Sequence, residues 1–106
     1  MQFPEDQSRE ACLAAVQQNG YVLKYVKEQT EEICLAAVLN NAHALAYVKE
    51  QTEKICLAAV QQHSWALKYV KKQTPEICCM ACLREPKSVK FIKSAKLKAQ
   101  IQLLLI

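Results

Sequence analysis

Residues 52–73 read TEKICLAAVQQHSWALKYVKKQ, and the same frame recurs on both sides of them. It stands as SREACLAAVQQNGYVLKYVKEQ at 8–29 and as TEEICLAAVLNNAHALAYVKEQ at 30–51, then more loosely as TPEICCMACLREPKSVKFIKSA at 74–95. Cys12, Cys34, Cys56 and Cys78 fall 22 residues apart. A period of that size marks an array of small supersecondary units, each unable to bury its apolar face alone. The remaining stretch, KLKAQIQLLLI, reads as a capping helix over 96–106, the first half of a fifth unit.

Each unit reads as two short helices. Ser8, Thr30, Thr52 and Thr74 are hydroxyl residues suited to capping a helix start. Acidic residues follow them in the first turn (Glu10; Glu31 and Glu32; Glu53; Glu76), where the helix dipole favours negative charge. Pro75 stands where its missing N–H costs nothing. This helix is expected to end near Asn19-Gly20, Asn41-Ala42, His63-Ser64 and Glu85-Pro86, with Gly20 as a left-handed cap. A second helix is expected through YVLKYVKEQ and its copies, with Leu45 and Val48, or Ala44 and Tyr47, at helical spacing. Basic residues gather toward its C-terminal end, where the dipole favours them. Helices this short persist in water only by stacking. The expectation is therefore an all-α solenoid of four 22-residue two-helix repeats with a C-terminal capping helix, one domain over residues 1–106.

The frame ICLAAVxxNxxALxYVKEQT resembles the tandem helical repeats known as domain of unknown function 4116, whose units read LAAVxxNGxALxY. Repeats of that family occur in bacterial and large-virus proteins. The resemblance is close over 8–73 and weak over 74–95, where CCMACLREPKSVKF replaces CLAAVQQHSWALKY. It implies a helical repeat and little else, because the family carries no established activity to transfer.

Composition narrows the function. One glycine and three prolines in 106 residues argue against an all-β chain, and the single glycine excludes a glycine-rich phosphate loop. The opening MQFPEDQSRE has no apolar core and LLLI at 103–106 is too short to span a bilayer. A cytoplasmic location (the host cytoplasm for a viral protein) is the expectation, with six cysteines as thiols and no membrane partner. Charge is uneven. Residues 1–53 carry four basic and eight acidic side chains, a net of −4; residues 54–106 carry ten and two, a net of +8. That asymmetry suggests an acidic partner for the second half, or head-to-tail association of copies.

Four candidate features remain. The cysteine column reads as packing, since stacked helices lie too far apart for neighbouring thiols to bond and buried Cys behaves as a small hydrophobe. Cys79 and Cys82, with Cys78 or His63, form the densest thiol cluster. Zinc sites draw on two CxxC pairs, whereas Cys82 replaces the core valine of the other units, so no metal or other cofactor is assigned. The column Tyr21, His43, Trp65, Lys87 varies where its surroundings are constant. Core positions of a repeat should repeat, so this column is expected at the surface as a contact row, or folded over the neighbouring unit. Lys27, Lys49, Lys71 and Lys93 recur in every unit, with Lys24, Lys68 and Lys90 three residues earlier on what is expected to be the same helix face. This ridge suits phosphates or an acidic protein, or is a solvated, dipole-matched helix face. Finally, Leu97, Ile101, Leu104 and Leu105 are expected to form one apolar stripe, able to cap the array or to pair two chains as a homodimer.

Catalysis has no foothold: Asp6 is the only aspartate, and His43 and His63 have no acidic partner at an informative spacing. The expected role is a non-catalytic protein-interaction module, an inhibitor or adaptor of a larger complex. Tyr21, His43, Trp65, Lys87, Lys68, Lys71, Lys90 and Lys93 would form its contact surface. The alternative is a nucleic-acid-associated viral or mobile-element factor, such as an inhibitor of a defence nuclease, that uses the basic second half.

Overall fold

The computed structural model describes residues 8–105, so Asp6 lies outside the described residues. Five α-helices, α1 (Arg9–Gln18), α2 (Glu31–Asn40), α3 (Glu53–Gln62), α4 (Pro75–Arg84) and α5 (Ala95–Leu104), are separated by short 3-10 helices among these residues. The 3-10 helices span Gly20–Tyr25, Ala42–Tyr47, Ser64–Tyr69 and Pro86–Phe91. Each α-helix packs on the next α-helix and each 3-10 helix on the next 3-10 helix, which draws the array out to 51 × 19 × 16 Å. The fold is an all-α solenoid of two-helix units closed by α5.

The start of each unit is set locally. The side-chain oxygens of Ser8, Thr30, Thr52 and Thr74 accept from Ala11, Ile33, Ile55 and Ile77 N at 3.2–3.3 Å, satisfying one orphan amide each. Pro75 occupies the first turn of α4. The α-helices then bury Ile, Cys, Ala and Val at i, i+1, i+4 and i+5, as in Ile33, Cys34, Ala37 and Val38. Alanine and cysteine at two of those four positions let successive helices approach closely. An exposed ion pair between Arg9 and Glu32 ties α1 to α2, and at that exposure it adds little stability.

Three expectations about the second element change. It is a six-residue 3-10 helix, not an α-helix through the YVLKYVKEQ segment. At three residues per turn, side chains i and i+3 eclipse and the helix has three faces. Gly20 and Leu23, continued by Val26, face the core; Tyr21 and Lys24 face outward; Val22 is buried while Tyr25 is 54% exposed. Lys27, Lys49, Lys71 and Lys93 therefore lie beyond the helix, after Val26, Val48, Val70 and Ile92, and not on the same helix face as Lys24, Lys68 and Lys90. Gly20 is no left-handed cap either. No described residue has a positive φ, and the α1 cap is Asn19 in extended conformation. Glycine is required at 20 by proximity: a Cβ there would meet Ala37 O at 2.5 Å. Asn40 holds that approach, accepting from Gly20 N at 2.8 Å and donating to Gln17 O at 2.9 Å.

The capping helix also differs in register. Its cap is Ser94, whose Oγ accepts from Leu97 N, so α5 starts two residues before the position that a 22-residue period predicts. Ile101 is buried, and Leu97 and Leu105 pack partly against the core. Leu104 leaves the expected stripe: three residues past Ile101 it turns away, and it is 75% exposed beside Leu103 at 71%.

Candidate functional site: a ring and lysine edge

The variable column occupies the second residue of each 3-10 helix, a position that the repeat brings to one edge of the solenoid. Tyr21 and Lys87 are exposed; His43 and Trp65 are half-buried. The rings also cover one another. Tyr21 and His43 stack with centroids 6.1 Å apart, and His43 and Trp65 at 4.4 Å. His63, the cap residue before the third 3-10 helix, stacks on Trp65 at 4.9 Å and 14°. The two readings of this column, surface row and cover for the neighbouring unit, describe the same rings.

A second row runs beside the first, through Tyr25, Tyr47, Tyr69 and Phe91, the last residue of each 3-10 helix. Tyr47 meets Tyr21 edge-on at 6.5 Å, and Tyr69 meets His43 and Trp65 edge-on at 5.8 and 6.4 Å. Edge-to-face pairing of this kind suits the ring quadrupoles. Tyr69 adds a hydrogen bond, its hydroxyl lying 2.9 Å from His43 Nδ1. Lysines lie over this surface: Lys24 Nζ is 5.1 Å from the Tyr25 centroid, and Lys90 Nζ is 5.3 Å from that of Phe91. Lys68 Nζ is 5.7 Å from Trp65 and 5.2 Å from Tyr69, the i, i+3 eclipse of a 3-10 helix bringing it over Trp65.

The later lysines behave differently. Lys49 Nζ donates to Lys27 O at 3.2 Å and Lys93 Nζ to Val70 O at 3.3 Å, so at these two positions the recurring lysine reaches back onto backbone. The two sets expected to make one ridge are thus separated: Lys24, Lys68 and Lys90 over the rings, Lys27, Lys49, Lys71 and Lys93 in the turns that follow.

Between the third and fourth units the ring edge opens into a cleft of about 400 Å³. His63, Trp65 and Phe91 form its apolar wall, and Arg84, Lys87 and Lys90 supply positive charge. The cleft coincides with the place where the column changes from aromatic to Lys87.

The cysteine column lies away from this edge. Cys12, Cys34, Cys56 and Cys78 are buried thiols. Burial first, then the nearby Glu31 and Glu53 carboxylates, pushes Cys34 and Cys56 from 9.0 up to about 11. Cys78 rises to about 11 by burial and then by its neighbours Cys82 and Cys79. Cys82 is also raised, by burial and then by Cys79, and it fills the core position held by Val16, Val38 and Val60. Thiols so disposed are poor nucleophiles and poor metal ligands. Among the described residues no group of three or more His, Cys, Asp or Glu side chains is arranged to hold a metal ion.

Sequence reasoning passed over the residues beside that column. Gln51 Nε2 donates to Leu45 O at 3.1 Å and to Tyr69 O at 2.9 Å, while its Oε1 accepts from Lys71 N at 2.8 Å. The Cys56 thiol points at the same Oε1 from 3.8 Å. Gln29 and Gln73 repeat the arrangement with Leu23, Tyr47 and Lys49, and with Leu67, Phe91 and Lys93. Each glutamine is a joint that ends one 3-10 helix and the next one together. Its signal was present, a glutamine before Thr30, Thr52 and Thr74, with Ala95 in the corresponding place of the fourth unit.

Among the described residues no helix is long and apolar enough to cross a membrane. No curated protein matches the chain, and no solved structure does. Residues 8–52, the first two units and the cap residue of the third, match the family model described as a domain of unknown function (DUF4116), and over that stretch the chain is similar to that helical-repeat family.

Proposed function

We propose that this chain is a non-catalytic interaction module that grips a partner protein along the ring and lysine edge, acting as an inhibitor or adaptor of a larger complex. One observation carries the reading: the variable column Tyr21, His43, Trp65 and Lys87 lies along one edge, and its three rings are stacked and left partly open to solvent. Partly exposed Tyr and Trp on a rigid support are the residues that dominate protein contacts. Lys24, Lys68 and Lys90 would favour a partner that presents carboxylates around an apolar centre. The alternative, a phosphate-tracking ridge for nucleic acid, has less support, because Lys49 and Lys93 are turned onto backbone carbonyls.

The test is a cross-linked capture from the native host with three baits: the unaltered chain, Trp65→Ala, and Lys68, Lys71, Lys90 and Lys93 all changed to Glu. A protein retained by the first and released by Trp65→Ala supports the reading, provided that retention persists at raised salt. Nucleic acid should instead weaken by roughly 10³- to 10⁵-fold over a fourfold rise in salt. Retention unaffected by Trp65→Ala and abolished by the charge reversal refutes the proposal.

A further inference from the structure

The ring column predicts its own continuation. Successive rings along it lie 6.1 and then 4.4 Å apart, and a fourth aromatic residue at position 87 would extend the stack. Lys87 stands there instead, and the cleft of about 400 Å³ opens beside it. That volume lies within the range of small-molecule sites, roughly 300–1,000 Å³. The rings of His63, Trp65 and Phe91 line it, with Trp65 already stacked against His43 and His63. Its charge is positive: Arg84, Lys87 and Lys90 line it, against the single carboxylate of Glu85, which accepts from Lys87 N at 3.3 Å. Lys90 is drawn over Phe91, which leaves Arg84 and Lys87 as the cations best placed for an anion.

From this geometry we infer that the cleft is a binding site for a free mononucleotide, a planar base carrying a phosphate. The base packs against the existing His63–Trp65 stack, and the phosphate is met by Arg84 and Lys87. Stacking accepts any base, because every base presents a π-face. The guanidinium supplies a planar fork matched to phosphate oxygens. This goes beyond the proposed protein contact and does not depend on it.

Trp65 is the only tryptophan, so its emission reports on the cleft directly. The intact chain is titrated with AMP, adenosine, inorganic phosphate and a short oligo(dA), with calorimetry as a second readout. AMP is expected to quench Trp65 saturably, with adenosine and phosphate each at least about tenfold weaker, since each keeps only the stacking or only the charge. Arg84→Ala should weaken AMP by about tenfold and leave adenosine unchanged. Lys87→Trp, which fills the cleft with the missing ring, should abolish AMP binding as read by calorimetry, the second tryptophan ruling out emission, while the thermal midpoint holds or rises. No saturable AMP binding overturns the inference, as does phosphate binding as tightly as AMP, or full AMP affinity in Lys87→Trp. Oligo(dA) binding more than about tenfold tighter than AMP overturns the assignment to a free nucleotide.

Discussion

Replacing Gln51 by alanine removes three N–H···O hydrogen bonds from one joint, and with them the acceptor of the weak Cys56 thiol contact. Two of the three go to carbonyls, Leu45 O and Tyr69 O, at part-buried sites, and the third comes from Lys71 N at the surface. At about 1–1.5 kcal/mol for each part-buried bond and about 0.5 for the exposed one, the loss is about 3 kcal/mol. A domain of this size has roughly 5–15 kcal/mol in total, so the joint is a sizeable share of it. The thermal midpoint should fall by roughly 12–24 °C. Circular dichroism during thermal and urea unfolding measures this, with Gln62→Ala as the control. Gln62 makes one exposed bond, Nε2 to Leu39 O at 3.0 Å, and its loss should cost about 0.5–1 kcal/mol. Gln51→Glu keeps the acceptor for Lys71 N but turns oxygen toward two carbonyls, so it should be at least as damaging at neutral pH. Stability should return partly in acid, where the protonated carboxyl regains one donor. If Gln51→Ala costs no more than Gln62→Ala, the glutamine is not a joint and the units are held by apolar packing alone.

Other consequences are equally open to measurement. Gly20→Ala should destabilise by about 1–3 kcal/mol in urea, because the new methyl meets the backbone oxygen of Ala37 and not a movable side chain; an unchanged midpoint refutes the close approach. The raised thiols of Cys34, Cys56 and Cys78 favour the folded state fully below pH 9.0, and that contribution is lost as the pH climbs toward 11. Thiolate absorbance should therefore show these cysteines titrating near 11 in the native chain and near 9.0 in urea, and coincident curves refute their burial. Leu103→Gln with Leu104→Gln alters two leucines that are 71% and 75% exposed, so stability should be unchanged. If chains pair through α5, light scattering should show a smaller mass for this variant, and an equal mass rejects that pairing. Ile101→Ala, by contrast, should cost about 2–4 kcal/mol by opening the contact of α5 with the core.

The α-helices were legible because capping and burial leave chemical marks at fixed positions: a hydroxyl, then carboxylates, then the Cys-Leu-Ala-Ala-Val run. The 3-10 helices were not, because Leu45 and Val48, three apart, satisfy a period of 3.0 as well as 3.6. That ambiguity carried the error about the lysines, since only an α-helix would have kept Lys24 and Lys27 on one element. The variable column was visible as a column, but its stacking depends on the distance between units, which sequence does not encode. The glutamine joint was hidden for another reason. Its strong partners are backbone atoms of Leu45, Tyr69 and Lys71, and its one side-chain partner, the thiol of Cys56, reads in the sequence as core packing.

The joint also gives the chain a direction of assembly. Gln29 reaches forward to Tyr47 and Lys49, Gln51 to Tyr69 and Lys71, and Gln73 to Phe91 and Lys93. A chain emerging from the ribosome N-terminus first therefore carries an unfilled amide at its growing end until about twenty further residues arrive. Each arriving unit closes the preceding joint and opens one of its own. With Ala95 the sequence stops issuing that demand, and Ser94 turns the backbone into a helix two residues ahead of schedule. A truncation that ends inside a unit is then worse than one that ends before a glutamine, because it leaves an order placed and nothing to fill it.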